Sequence, residues 1–169
     1  MKITKIQRLT RLSLLITVAL MLSYLESLIP ILPIPGAKIG LANIVILFAL
    51  LTMSFGDGLV IILLRTTISA FLFTSLSYLF YALVGGIASL ITMYIVLKFI
   101  KKDTFTIGVS VIGAITHSLA QVIVAMIILE SSAVLSFLPW LIIIAVPTGI
   151  FVGISVRYLK VYTRGIFKT

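Results

Sequence analysis

The chain has 169 residues, 62% of them hydrophobic and only 10% charged, whereas an ordinary soluble domain is about a quarter charged. This length and composition exclude a water-soluble globule and leave no room for a separate soluble domain, so residues 1–169 read as a single transmembrane unit. The formal charge of +9 does not indicate nucleic acid, because the basic residues are split among helix ends and no polar surface remains to form a groove.

A spanning helix needs about 20 apolar residues, and six runs along the chain fit. The first covers residues 8–29 and ends at Pro30, Pro33 and Pro35. Its apolar stretch is too long for a removable signal peptide and has no small-residue cleavage site, so it reads as a retained helix. The second run, 39–53, is short for a span and is followed by a break at Gly56-Asp57-Gly58. The third covers 59–73. Thr74, Ser75 and Ser77 then turn the chain into a fourth at 78–100, and the fifth and sixth cover 105–129 and 134–158.

The distribution of charge sets the expected sidedness. Eleven of the thirteen basic residues fall in three places: Lys2, Lys5, Arg8 and Arg11; Lys98, Lys101 and Lys102; Arg157, Lys160, Arg164 and Lys168. Positive charge stays on the cytoplasmic side, so an even number of crossings separates successive clusters and both termini are expected in the cytoplasm. The segments 30–38, 74–77 and 130–133 then face out, and 54–58 and 98–104 face in. The prolines of 30–38 make that segment a stiff extended cover. Basic residues at the helix ends also suit anionic lipid headgroups.

Ionisable groups inside a span are costly and turn toward the bundle interior or a cavity. At about 1.5 Å per residue, Glu26, Lys38, Asn43, His117, Gln121, Tyr78 and Tyr81 all fall in the outer half, with Arg65 near mid-depth. His117 and Gln121, at i and i+4, share one helix face. This convergence predicts a polar pocket with Arg65 at its floor. Its cations and amides suit an anionic or carbonyl-bearing ligand. The same residues have another reading: His117 and Gln121 as interhelical hydrogen bonds, Arg65 paired with Glu26 or snorkelling, and Trp140 as part of an aromatic belt. One histidine, four acids and no cysteine argue against a metal site. Small residues mark packing faces at Ala19, Ser23 and Ser27, at Ala82, Gly85, Gly86 and Ser89, and at Gly149 and Gly153 after Pro147.

The segment Pro35-Gly36-Ala37-Lys38-Ile39-Gly40-Leu41-Ala42-Asn43 resembles the signature of the bacterial Gx transporter family, also known as heptaprenyl diphosphate synthase component I. Arg65, Gly85-Gly86-Ile87-Ala88-Ser89, His117 to Gln121, and Pro147 with Gly149 and Gly153 agree with it in order. That family is similar to the substrate-binding S components of energy-coupling-factor transporters. The resemblance implies six helices in a bacterial cytoplasmic membrane, an outward site capped by the connection after the first helix, and docking through small residues of that helix onto a coupling subunit with two ATPases. Ala19, Ser23 and Ser27 become the implied docking stripe. Lys38, Asn43, Arg65, Tyr81, His117 and Gln121 become the expected substrate-binding set.

The chain has no GxxxxGK[ST] loop, so ATP hydrolysis falls to a partner. The synthase name implies an enzyme subunit instead. Prenyl diphosphate chemistry needs several carboxylates to hold magnesium, and the chain has only Asp57 and Asp103 as aspartates, forty-six positions apart. The expectation is therefore a non-enzymatic uptake protein for a small organic solute, without a cofactor. The alternative is a non-catalytic membrane subunit or anchor in isoprenoid, quinone or flavin redox metabolism.

Overall fold

The computed structural model describes residues 4–28, 40–100 and 105–163. Within them the chain is all-helical: α1 Lys5–Ser27, α2 Asn43–Thr52, α3 Phe55–Leu72, α4 Leu76–Phe99, α5 Thr106–Ile128 and α6 Leu138–Tyr162, with a short 3-10 helix Ser132–Phe137 leading into α6. Five of these, α6 together with its 3-10 lead-in, are long and apolar enough to cross a membrane. Large apolar side chains such as Phe71, Ile143 and Phe151 point outward from the bundle, as side chains that meet lipid do. The expected termini, Lys38 and Asp103 lie outside the described residues.

The helix α2 has ten residues, about 15 Å, or half the hydrocarbon thickness. Two links show how much height its segment covers. At one end of α1, Arg8 Nε and NH2 donate to Asp57 Oδ1 at 2.9 and 2.7 Å. At the other end, Glu26 Oε1 accepts the backbone N–H of Leu41. Residues 41–57 therefore run antiparallel to α1 over the height between Arg8 and Glu26, about 27 Å at the helical rise. The second run crosses the bundle although only its middle is α-helix.

The ends of α2 and α3 correct the boundaries expected from the sequence. Gly40 is at φ +84, a conformation suited to glycine. A Cβ there would lie 2.9 Å from the Asn43 side-chain amide, so the helix begins at Asn43 and not at 39. Gly56-Asp57-Gly58 is the first turn of α3 and not a break. Ser54 is its N-cap, accepting from Asp57 N at 3.2 Å and donating to Asp57 Oδ2 at 2.7 Å. The pattern Ser-x-x-Asp is the signature of such a cap, and the carboxylate also favours the positive end of the helix dipole. At α6 the helix starts at Leu138, later than 134, because Pro139 stands in the first turn, where its missing N–H costs nothing.

α2 is the buried centre. Val45, Ile46, Leu47, Phe48 and Ala49 join Leu15 and Ala19 of α1, Ile61 and Ile62 of α3, Leu90 and Met93 of α4, Val109 of α5, and Val152 and Val156 of α6 in one apolar core. A second cluster of Tyr81, Val122, Ala125, Val134 and Leu141 closes the bundle beneath the 3-10 helix. The glycine pair on α6 packs within the chain: a Cβ at Gly149 would lie 2.7 Å from Val111 Cα, and at Gly153 2.6 Å from Ile107 Cα, both on the α5 backbone.

The helix 1 stripe requires a correction. Ala19 and Ser23 are fully buried inside this chain, and Ser27 is half-buried with its hydroxyl bonded to Tyr24 O at 2.6 Å. Ala19 and Ser23 lie on the inner face of α1 because the core needs close approach there, so neither is available to a partner. The outward face of α1 carries Leu14, Val18, Met21 and Leu25.

Candidate functional site

The polar side chains of the spans converge at one end of the bundle, the end where Glu26 meets Leu41. Arg65 on α3 is only 4% exposed, and its NH1 donates to Ser23 Oγ on α1 at 3.1 Å. One turn further along α1, Glu26 is buried and ties the start of the α2 segment through Leu41 N. Asn43 is buried beneath Gly40 at the first turn of α2. Tyr78, in the first turn of α4, lies within electrostatic reach of both Arg65 and Glu26, and His117 on α5 within reach of Arg65. Five helices thus supply one cluster, each from a turn whose apolar neighbours hold the helix in the core.

The α4–α5 contact gives the cluster its second wall. A Cβ on Gly85 would lie 3.0 Å from both Gln121 Cγ and His117 Cε1. Glycine at this position lets the α5 polar pair lie flat on α4. One turn along, a Cβ on Gly113 would lie 3.1 Å from Ser89 Oγ. Adjoining this contact on the same side of α5, His117 and Ser118 border a small cleft with Gly40, Asn43, Ala145 and Thr148. His117 is therefore shared between the bundle interior and this cleft.

The cluster has more hydrogen-bonding capacity than it uses. Arg65 Nε, Ser89 Oγ and His117 Nδ1 are buried without a hydrogen-bond partner among the described residues. The Nδ1 edge of His117 rests against Gly85, whose backbone is within reach for a weak hydrogen bond only. An unmet buried donor or acceptor costs about 1–3 kcal/mol, more when charged. Arg65 Nε, His117 Nδ1 and, one turn deeper, Ser89 Oγ present a guanidinium, an imidazole and a hydroxyl, groups suited to a carboxylate, carbonyl or phosphate oxygen.

Of the expected binding residues, the structure brings Asn43, Arg65, His117 and Gln121 together. Lys38 lies outside the described residues. Tyr81 packs in the apolar cluster with Val122, Ala125, Val134 and Leu141, while Tyr78 lies by Arg65. Tyr78 and Tyr81 stand only about 60° apart around α4, so packing against the neighbouring helices and not phase separates their surroundings, with Tyr81 against Val122 and Ala125 of α5 and Leu141 of α6. Ser23 belongs to the cluster and was read from the sequence as a docking residue. Its alignment at i+4 with Ala19 carried that reading, and only the position of α3 shows that its hydroxyl receives Arg65.

The far end of the bundle has a different constellation. Asp57 is buried and receives Arg8 from α1 and Ser54 from its own cap, forming an ion pair at 2.7 Å. This carboxylate is committed to structure. Among the described residues no group of three or more His, Cys, Asp or Glu side chains could hold a metal ion.

No curated protein and no solved structure matches the chain. The family model described as heptaprenyl diphosphate synthase component I matches residues 15–159, from the second half of α1 through nearly all of α6, and so includes every described residue of the polar cluster. This helical membrane protein therefore belongs to the heptaprenyl diphosphate synthase component I family.

Proposed function

We propose that this chain is a solute-binding membrane transport subunit, similar to the S components of energy-coupling-factor transporters. It takes a small organic molecule with an anionic or carbonyl group from the outside. The observation that carries this reading is the cluster of Arg65, Asn43, His117, Gln121 and Tyr78 at the end of the bundle opposite Arg8 and Asp57, with Arg65 Nε and His117 Nδ1 buried and outside any well-formed hydrogen bond. Arg65 meets the negative oxygen, Asn43 and Gln121 orient the molecule, and His117 supplies a further polar contact. Lys38, in the signature segment that precedes α2, is the second cation of the proposed set. Under the positive-inside rule the Arg8 end is cytoplasmic and the cluster lies in the outer half of the membrane. Energy for release comes from partner ATPases, because the chain carries no phosphate-binding loop.

Native mass spectrometry of the detergent-purified protein, with release and identification of bound molecules, tests this reading. A stoichiometric non-lipid molecule bearing a carboxylate, carbonyl or phosphate, lost in Arg65→Ala and Asn43→Ala, is expected. A molecule retained at full occupancy by both variants would place the site elsewhere.

A second reading rests on the family's name: a non-catalytic membrane subunit of a prenyl diphosphate synthase. The chain has four acidic residues. Asp57 is bonded to Arg8 and Ser54, and Glu26 to Leu41 N. This leaves few carboxylates for magnesium–diphosphate chemistry and favours an assembly role under this reading. Stable co-purification with a soluble prenyl synthase, together with a bundle empty of solute, would favour it over transport.

A further inference from the structure

Helix α6 has two halves that are held differently. Past Pro147 its glycines lie on the α5 backbone, Gly149 over Val111 and Gly153 over Ile107. Val152 and Val156 of that half belong to the main apolar core. Before Pro147 the packing is thinner. Among residues 131–146 only Val134, Leu141 and Ala145 are buried. Val134 and Leu141 belong to the smaller cluster with Tyr81, Val122 and Ala125. A segment with few buried apolar contacts is among the first to open.

Both ends of this outer segment carry a backbone irregularity. Pro147 lies inside the helix and has no N–H for the carbonyl of Ile143, which interrupts the ladder at that turn. The Thr148 hydroxyl reaches past the proline and bonds Ile144 O and Ala145 O at 3.0 Å each, so the two halves stay joined across the interruption. At the other end Glu130 stands at φ +48, in the left-handed region that few side chains adopt. Residues 131–146 thus run between two points where the chain departs from regular helix, and sharp bends concentrate at such points.

The cleft beside this segment gives the bend a use. Leu141, Ile144 and Ala145 form one wall of it, and His117 and Ser118 of α5 and Asn43 of α2 form the others. It encloses about 300 Å³, its open side included, which is the lower end of the range for small-molecule pockets. Two members of the polar cluster, Asn43 and His117, border it. Gly85 and Gly113 hold α5 close against α4, so the cleft widens when the α6 wall moves.

We propose that this cleft is the route by which a solute reaches the polar cluster, and that residues 131–146 swing about Pro147 and Glu130 to open it. The route rests on the solute-binding reading. The swing is a property of the fold and is measured without any solute, so its failure and that of the solute reading are separate results.

The chain has no cysteine, so single cysteines report the opening. Ala145 and Val152 are each 4% exposed and, seven residues apart, share one face of α6 on either side of Pro147. In detergent, sulfonatoethyl methanethiosulfonate, a small anion, should modify Ala145→Cys at least about tenfold faster than Val152→Cys, since labelling follows the open population. Adding Pro147→Ala, which restores the N–H, should slow Ala145→Cys about fivefold, the population change worth one hydrogen bond, and leave Val152→Cys unchanged. Hydrogen exchange of the unsubstituted chain gives a second reading if Pro147→Ala does not fold. Amides of 140–146 should exchange faster than those of 114–120 on α5, which lie at the same depth by the register of Gly149 on Val111 and Gly153 on Ile107. Equal rates at the two cysteines, no effect of Pro147→Ala, or equal protection of the two segments would each overturn the swing. The cationic trimethylammonioethyl reagent tests the route, each rate being taken relative to that of free cysteine. Slower modification of Ala145→Cys by the cation than by the anion, with the difference lost in Arg65→Ala, is expected. A Pro147-dependent opening that treats both reagents alike would overturn the route to the cluster.

Discussion

The two ends of the bundle each place an arginine against α1 or α3, and they treat it in opposite ways. At one end Arg8 is on α1, more than half exposed, and gives two bonds to a carboxylate that a serine cap also holds. At the other end Arg65 is on α3, almost wholly buried, and gives one bond to a neutral serine while its Nε meets nothing. The first arrangement is complete: donors and acceptors match, and the pair joins α1 to the first turn of α3. The second retains unmet donors in a low-dielectric layer, where they cost the most. At the second end a buried arginine keeps a donor that a further oxygen would satisfy. The contrast separates an end built around one completed ion pair from an end built around a buried arginine bonded to a single serine.

The largest effect expected from this contrast is on solute affinity. Arg65→Ala should lower it on the order of 100-fold, consistent with losing one member of a desolvated charged contact. Arg65→Lys should recover only part of the loss, because an ammonium lacks the planar fork. Isothermal titration with the solute identified by mass spectrometry measures both. If Lys restores full affinity, the fork is not what reads the ligand.

Next in size are the close helix approaches. Gly149→Ala places a methyl 2.7 Å from Val111 Cα, a backbone atom that cannot turn aside. The expected cost is about 1–3 kcal/mol of stability, read as a lower thermal midpoint in detergent. Gly85→Ala meets only the side chains of His117 and Gln121 at 3.0 Å. It should lower stability less than Gly149→Ala and solute affinity more. Equal effects on both readouts would erase the distinction between a packing face and a binding face.

The Arg8 end should respond more weakly. Asp57→Asn removes an ion pair whose arginine is largely in solvent, so about 1 kcal/mol is expected, with solute affinity unchanged. A loss of affinity matching that of Arg65→Ala would show that the two ends act as one unit. Smallest of all, Trp140→Ala, at an exposed position on α6, should stay within about 0.5 kcal/mol; a larger fall in thermal midpoint would mean that the ring packs where an aromatic belt does not.

Much of this architecture is legible in the chain. Apolar runs of spanning length place α1, α4 and α5 to within a few residues, because no other structure satisfies backbone polar groups in lipid. The rarity of polar residues within the spans makes Asn43, Arg65, His117 and Gln121 visible at once. The boundaries that shift have local chemical causes: Ser54 with Asp57 begins α3 four residues earlier, and Pro139 delays α6. Tyr81 and the Ala19–Ser23 stripe could not be assigned in the same way, since a face that looks small or aromatic has no direction until its neighbours are in place.

The sequence by itself therefore determined the helical class, the six segments, the cationic collars and the depth of each rare polar group, because the cost of a charge in hydrocarbon restricts where it can stand. Tertiary structure alone decided orientation about each helix axis: that Ser23 turns inward to Arg65, that Asp57 receives Arg8, and that Tyr78 lies by the arginine while Tyr81 joins the apolar cluster. It also decided that the cleft beside His117 lies against the part of α6 that precedes Pro147. Rotation about a helix axis is set by packing against neighbours distant in sequence, and no single apolar span carries that information.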